Sequence, residues 1–139
     1  MNLSDLDVRR ALIVGDMHGN LSSWVRTVLP TARANAVDAI IQVGDFGYGW
    51  DEGWYLQQLD ELADQKLADP LIFWFDGNHE NFDRLEAAGA FPNHTEPVQT
   101  SARTWYLPRG YVWTWSGVRF MALGGAYSVN KPYRSPGVS

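Results

Sequence analysis

At 139 residues, with 45% hydrophobic side chains and seven Trp, the chain is long enough to bury one real core and too apolar to remain disordered. A formal charge of -5 argues against the Lys/Arg-rich surface that non-specific nucleic-acid binding needs, and the lack of Cys excludes disulfides, thiolate metal ligands and a Cys nucleophile. No apolar run approaches a membrane span and no basic-then-apolar leader follows Met1, so one cytoplasmic domain over residues 1–139, with no membrane partner, is the expectation.

Residues 1–8 are a polar lead-in. Ala11-Leu12-Ile13-Val14 then reads as a strand that runs into Gly15-Asp16-Met17-His18-Gly19-Asn20. Leu21, Trp24, Val25, Val28 and Leu29 recur at helical spacing, which predicts an amphipathic helix from about Asn20 that Pro30 ends or kinks. A second strand over about 38–44 delivers Gly44-Asp45, followed by the glycine-rich loop Phe46-Gly47-Tyr48-Gly49-Trp50. Asp51 is placed to cap a helix whose apolar face is Tyr55, Leu59, Leu62 and Ala63.

The apolar run Leu71–Phe75 forms a third strand leading into Asp76-Gly77-Asn78-His79-Glu80, and a short helix from about Asn81 to Ala88 stops at Gly89. The intervals Asp16 to Asp45 and Asp45 to Asn78 are each about thirty residues, the length of a βαβ unit, so the strands belong to a parallel sheet with right-handed crossovers. Residues 90–103, with two Pro, read as a long loop. Thr104 to Leu107, Tyr111 to Trp115 and Val118 to Leu123 then read as short strands separated by turns, and the tail from Lys131 has no periodicity.

Ligands of open parallel sheets sit beyond the carboxyl ends of the strands, and all three polar clusters fall there. Helix N-termini begin directly afterwards, at Asn20 and Asn81, and favour an anion such as phosphate. Two carboxylates about 4 Å apart repel by roughly 1–4 kcal/mol, so Asp16 and Asp45 brought together call for a cation. Carboxylate, imidazole and amide donors suit Mn, Fe, Zn, Ni or Mg rather than a soft ion. Each Asp taken singly also fits an ordinary turn residue after a strand; three such clusters in register argue for chemistry.

The ordered motifs Gly15-Asp16-Met17-His18-Gly19, Gly44-Asp45 and Gly77-Asn78-His79-Glu80 resemble those of the calcineurin-like metallophosphoesterases, over roughly residues 10–125. The resemblance implies an α/β fold, a partial sandwich in which a parallel βαβ sheet is followed by short strands of an incomplete second sheet. It implies a metal-dependent hydrolase acting on phosphomonoesters or phosphodiesters at a two-metal site. By motif position, Asp16 and His18 bind the first metal, Asp45 bridges both, Asn78 binds the second, and His79 stands over the leaving group. Mn is the expected ion.

The chain departs from that pattern in having three His in all and no Gly-His-x-His motif. His94, in a Pro-Asn-His-Thr loop, reads as a surface residue. The expectation is therefore an incomplete dinuclear site with weak activity, in a chain whose C-terminal part is cut short. The competing expectation is an inactive binding module acting through a half-built second sheet, by self-association or with a protein partner. Tyr48 and Trp50 are placed to stack on a substrate, Arg84 to reach a phosphate, and Lys131 and Arg134, beside Tyr127 and Ser128, to hold an anion. Glu80 reads as support for the His79 loop or the helix that follows it.

Overall fold

Short runs of β-branched and aromatic residues make the strands, and their alternation sets which face each residue covers. In the computed structural model, which describes residues 1–66 and 70–125, a five-stranded sheet contains β1 (Ala11–Val14), β2 (Ala39–Val43), β3 (Leu71–Phe75), β4 (Val98–Gln99) and β5 (Thr104–Tyr106) in the order β1-β2-β3-β5-β4. All neighbours are parallel except β4 and β5. Val14 pairs with Gln42 and Gln42 with Trp74, so the three strand ends lie level and their polar loops emerge along one edge. Tyr127, Ser128, Lys131 and Arg134 lie outside the described residues.

One face of this sheet is covered by helices. Asn20 caps the first, its side chain accepting the Ser23 N–H, and α1 (Leu21–Ser23) continues through a π-helical turn (Trp24–Val28) into α2 (Leu29–Ala34). The helix therefore does not stop at Pro30. The wide turn, closed by Leu29 N–H to the Trp24 carbonyl, shifts the hydrogen-bond register just before the residue that has no N–H to give. The helix α3 (Trp54–Lys66) starts where Asp51 accepts the N–H groups of Gly53 and Tyr55, and α4 (Phe82–Ala87) is capped by Asn81. Trp24, Leu29, Tyr55, Leu59 and Leu85 pack with Ile40, Ile72 and Trp74 beneath them.

The other face packs on β6 (Val112–Trp115) and β7 (Val118–Met121), an antiparallel hairpin. Its two-residue turn, Ser116-Gly117, has φ of 48° and 79°, the left-handed pair that matches the twist of such hairpins. Trp113 and Trp115 point inward onto Ala39, Ile41 and Phe73. The 3-10 turn Leu3–Asp5 closes the free side of β6, where Trp115 Nε1 donates to the Leu3 carbonyl at 2.7 Å and Thr114 N–H to Ser4 Oγ at 3.0 Å.

The fold is thus the mixed α/β arrangement expected, a mostly parallel sheet with a small second antiparallel one. Two details differ from the sequence reading. Residues 90–103 are not wholly loop, because Val98 and Gln99 form β4. Thr104–Tyr106 joins the parallel sheet beside β3, a place the sequence reading does not assign to it. No helix among the described residues is long and apolar enough to cross a membrane.

Candidate metal centre

The three strand ends differ in how they turn. Asp16, His18 and Asp45 all adopt left-handed backbone conformations, with φ of 54°, 48° and 53°. Such conformations cost a non-glycine residue about 1–3 kcal/mol each and persist where the surroundings impose them. Here the imposing contacts are backbone ones. His18 N–H donates to the Asp45 carbonyl at 2.7 Å, and Gly19 N–H to the Phe46 carbonyl at 3.1 Å, so the first two loops are laced together. The glycines permit this closeness: a Cβ on Gly47 would stand 2.5 Å from Gly19 N.

The third loop joins through Asp45. Its Oδ1 accepts the His79 N–H at 2.8 Å, while Oδ2 stands 3.5 Å from His18 Nε2. A Cβ on Gly77 would overlap Asp45 Oδ1, so only glycine lets the Asn78-His79 segment lie this close. His18 Nε2 is also 2.9 Å from Asp16 Oδ1. One ligand atom from each of Asp16, His18 and Asp45 lies within 4.8 Å of the others. Asp45 is buried, whereas Asp16 and His18 are open to solvent.

Two carboxylate oxygens and an imidazole nitrogen meeting at one point are a donor set that a divalent cation of borderline hardness fits, and the buried, hydrogen-bonded Asp45 is the pre-oriented member. The His79 ring stands 5.4 Å from that of His18, on the side to which the Asn78 loop contributes. The family model described as calcineurin-like phosphoesterase matches residues 9–134. The chain belongs to the calcineurin-like phosphoesterase family. No curated protein matches it.

In this calcineurin-like phosphoesterase, Glu80 is the tie between the second and third loops. It is buried, and its carboxylate accepts the N–H groups of Phe46 at 2.6 Å, Gly47 at 3.1 Å and Tyr48 at 3.0 Å. Burial pushes its carboxyl up to about 7, against the pull of those N–H groups and that of Gly77. Glu80 therefore supports the loop after Asp45 as well as its own.

Tyr48 and Arg84 are not directed as the sequence reading has them. The Tyr48 ring is half-buried and stacks on Trp74, with centroids 5.2 Å apart, so it joins the helix-side core. Arg84 gives its guanidinium to the Asp51 carbonyl and lays its aliphatic stem against Gly49, bracing the glycine-rich loop. His94 is exposed, as a surface residue should be. Trp50 is the aromatic that reaches the site, donating Nε1–H to the His79 carbonyl at 2.9 Å and meeting the His18 ring at 5.8 Å.

Beneath the third loop lies a network that no local pattern announced. The buried Asp76 carboxylate accepts from Tyr106 Oη at 2.8 Å and from Arg109 through Nε at 2.9 Å and a terminal nitrogen at 2.5 Å. Gly125 N–H donates to the Asp76 carbonyl at 2.7 Å, and a Cβ on Gly124 would overlap the Asp76 carboxylate. The residue just before the Gly77-Asn78-His79-Glu80 motif is thus clamped by Tyr106 of β5 and by Arg109 and Gly125, which flank the β6–β7 hairpin. In sequence the only signal is an acidic residue ending an apolar strand and a Pro-Arg-Gly that reads as a turn.

Proposed function

We propose that this chain hydrolyses a phosphoester with a divalent metal held between Asp16, His18 and Asp45. The observation that carries this reading is the meeting of their three ligand atoms at the level ends of β1 and β2. Membership of the phosphoesterase family supports a hydrolase and a phosphoester substrate. Mn is the ion we favour, because mixed carboxylate and imidazole donors hold it well and water completes its shell. When bound, such an ion acts as a Lewis acid toward a phosphoryl oxygen and lowers the pKa of a water molecule.

The residues divide the work. Asp45 presents Oδ2 to the cluster while the His79 N–H holds Oδ1, which fixes the carboxylate plane. His18 and Asp16 complete the donor set, and we assign the Asn78 amide to a second ion beside Asp45. That second position has fewer ligands from this chain, so turnover should be slow. His79 we place over the leaving group, as a proton donor or a charge stabiliser. Its backbone is held on both sides, by Asp45 at its N–H and by Trp50 at its carbonyl.

Hydrolysis of a chromogenic phosphodiester, followed with and without added Mn, tests this. Slow, Mn-stimulated turnover that Asp45→Ala abolishes is expected; no turnover with Mn, Fe, Zn, Ni or Mg would overturn it.

A second reading, a binding module that works through a partner or a second copy, is favoured by one observation. Val118 and Met121 on β7, and Leu123 just after it, are 56%, 58% and 72% exposed, a run of open apolar side chains close together in the chain. Sedimentation showing only monomer at high concentration would count against self-association.

A further inference from the structure

The glycine-rich loop after Asp45 carries three aromatic side chains, Phe46, Tyr48 and Trp50, and sends them in different directions, with Phe46 fully buried against Trp74. Tyr48 goes inward onto Trp74, whereas Trp50 turns toward the site and stays 41% exposed. Its indole is not loose: Nε1–H is bonded to the His79 carbonyl at 2.9 Å, and the ring lies beside Gly19, where an added Cβ would come 3.8 Å from Cε3. The ring meets His18 at 5.8 Å, and His18 meets His79 at 5.4 Å. Trp24, Trp74, Trp113 and Trp115, by contrast, are buried in the two cores.

An indole fixed along one edge, with solvent on its free surface, is pre-organised for stacking: little side-chain entropy is lost when a planar group settles on it. The groups that gain most from such a surface are nucleobases and aryl rings. We infer that Trp50 is a specificity-determining residue of this site, selecting phosphoesters whose organic arm carries a planar aromatic ring that stacks on its indole. The inference rests on the phosphoesterase reading above and names its substrate class. The net charge of -5 favours a small ester over a nucleic-acid polymer, which would need a basic track for its backbone.

The test is titration calorimetry on the full chain in manganese-containing buffer with four probes: adenosine 5′-monophosphate, phenyl phosphate, ribose 5-phosphate and methyl phosphate. Wild type should bind the two aromatic esters about tenfold more tightly than the two aliphatic ones. Trp50→Ala should lose that preference, while Trp50→Phe, which keeps a ring but no N–H, should keep most of it. Preference for the adenosine ester alone would support the inference and narrow the class to nucleobases. Equal binding of aromatic and aliphatic esters by wild type would overturn it and leave the phosphoesterase reading standing. Parallel weakening of all four probes in both variants would also overturn it, since it would mark Trp50 as a brace for the His79 loop. Failure of wild type to bind any of the four would overturn both.

Discussion

Glu80 and Phe46 stand 34 residues apart in the chain, yet the Phe46 N–H donates to Glu80 Oε1 at 2.6 Å. Gly47 and Tyr48 donate to Oε2 of the same carboxylate. Three successive N–H groups of the loop that follows Asp45 are thereby satisfied by one side chain from the loop that carries His79. Removing it leaves buried donors with no partner, each costing about 1–3 kcal/mol. Glu80→Ala should lower stability by at least about 3 kcal/mol in urea denaturation, and Glu80→Gln, which keeps one acceptor oxygen, by clearly less.

The same carboxyl makes stability depend on pH. Burial raises it from the usual 4.5 to about 7, so the folded chain holds this proton more tightly than the unfolded one. Its contribution is therefore fully present below pH 4.5 and is lost as pH rises through 7, by at most about 1.4 kcal/mol per pH unit. Unfolding of the metal-stripped protein, measured across that window, should show the decline. Glu80→Gln should flatten it; an equal slope in both proteins would assign the effect elsewhere.

Gly77 is required by Asp45. A Cβ there would overlap the Asp45 backbone N and Asp45 Oδ1, which is buried and held by the His79 N–H. Gly77→Ala should cost about 2 kcal/mol or more and weaken Mn binding at least about tenfold, as displaced supports of metal ligands do. Gly15→Ala is the control, since the nearest atom to its added Cβ is Val43 Cγ2 at 3.8 Å. It should stay within about 0.5 kcal/mol of wild type.

Arg109 holds a carboxylate that is shielded from solvent. The Asp76 side chain is fully buried, while that of Arg109 is 41% exposed, so screening reduces but does not remove the pair's worth. Arg109→Ala leaves Tyr106 Oη as the remaining side-chain donor seen at that carboxylate and should cost about 2 kcal/mol. Asp76→Asn in the Arg109→Ala background should recover part of it, because the uncompensated charge is gone. Chemical denaturation of the single and double variants checks both statements.

What the sequence revealed and what it hid divide by range. Strands such as Leu71–Phe75, the Asp51 cap, and the helix starts near Asn20 and Asn81 are local patterns, and they stand where periodicity and capping chemistry put them. The nearness of Asp16 to Asp45 was also legible, since parallel strands of matched length end level. Of the two outcomes expected at Pro30, an end or a kink, the end does not occur, and the π-helical turn that carries the helix past it has no residue signature. The pair Val98-Gln99 is a strand only because β5 lies beside it. Tyr48, Trp50 and Arg84 were close to the motifs in sequence, but closeness in sequence carries no direction. The glycines of that loop let Tyr48 turn inward and Trp50 outward.

The central claim is that Asp16, His18 and Asp45 together hold a divalent metal. Titration calorimetry of Mn into the metal-stripped chain, beside Asp45→Asn, tests it most directly. Asparagine at that position keeps an oxygen for the His79 N–H, so the loops should stay in place while the charged ligand is lost. The account predicts that wild type binds at least one Mn ion and that the variant binds at least about tenfold more weakly. A wild-type chain that takes up no Mn, or a variant that binds it as well as wild type does, would contradict it.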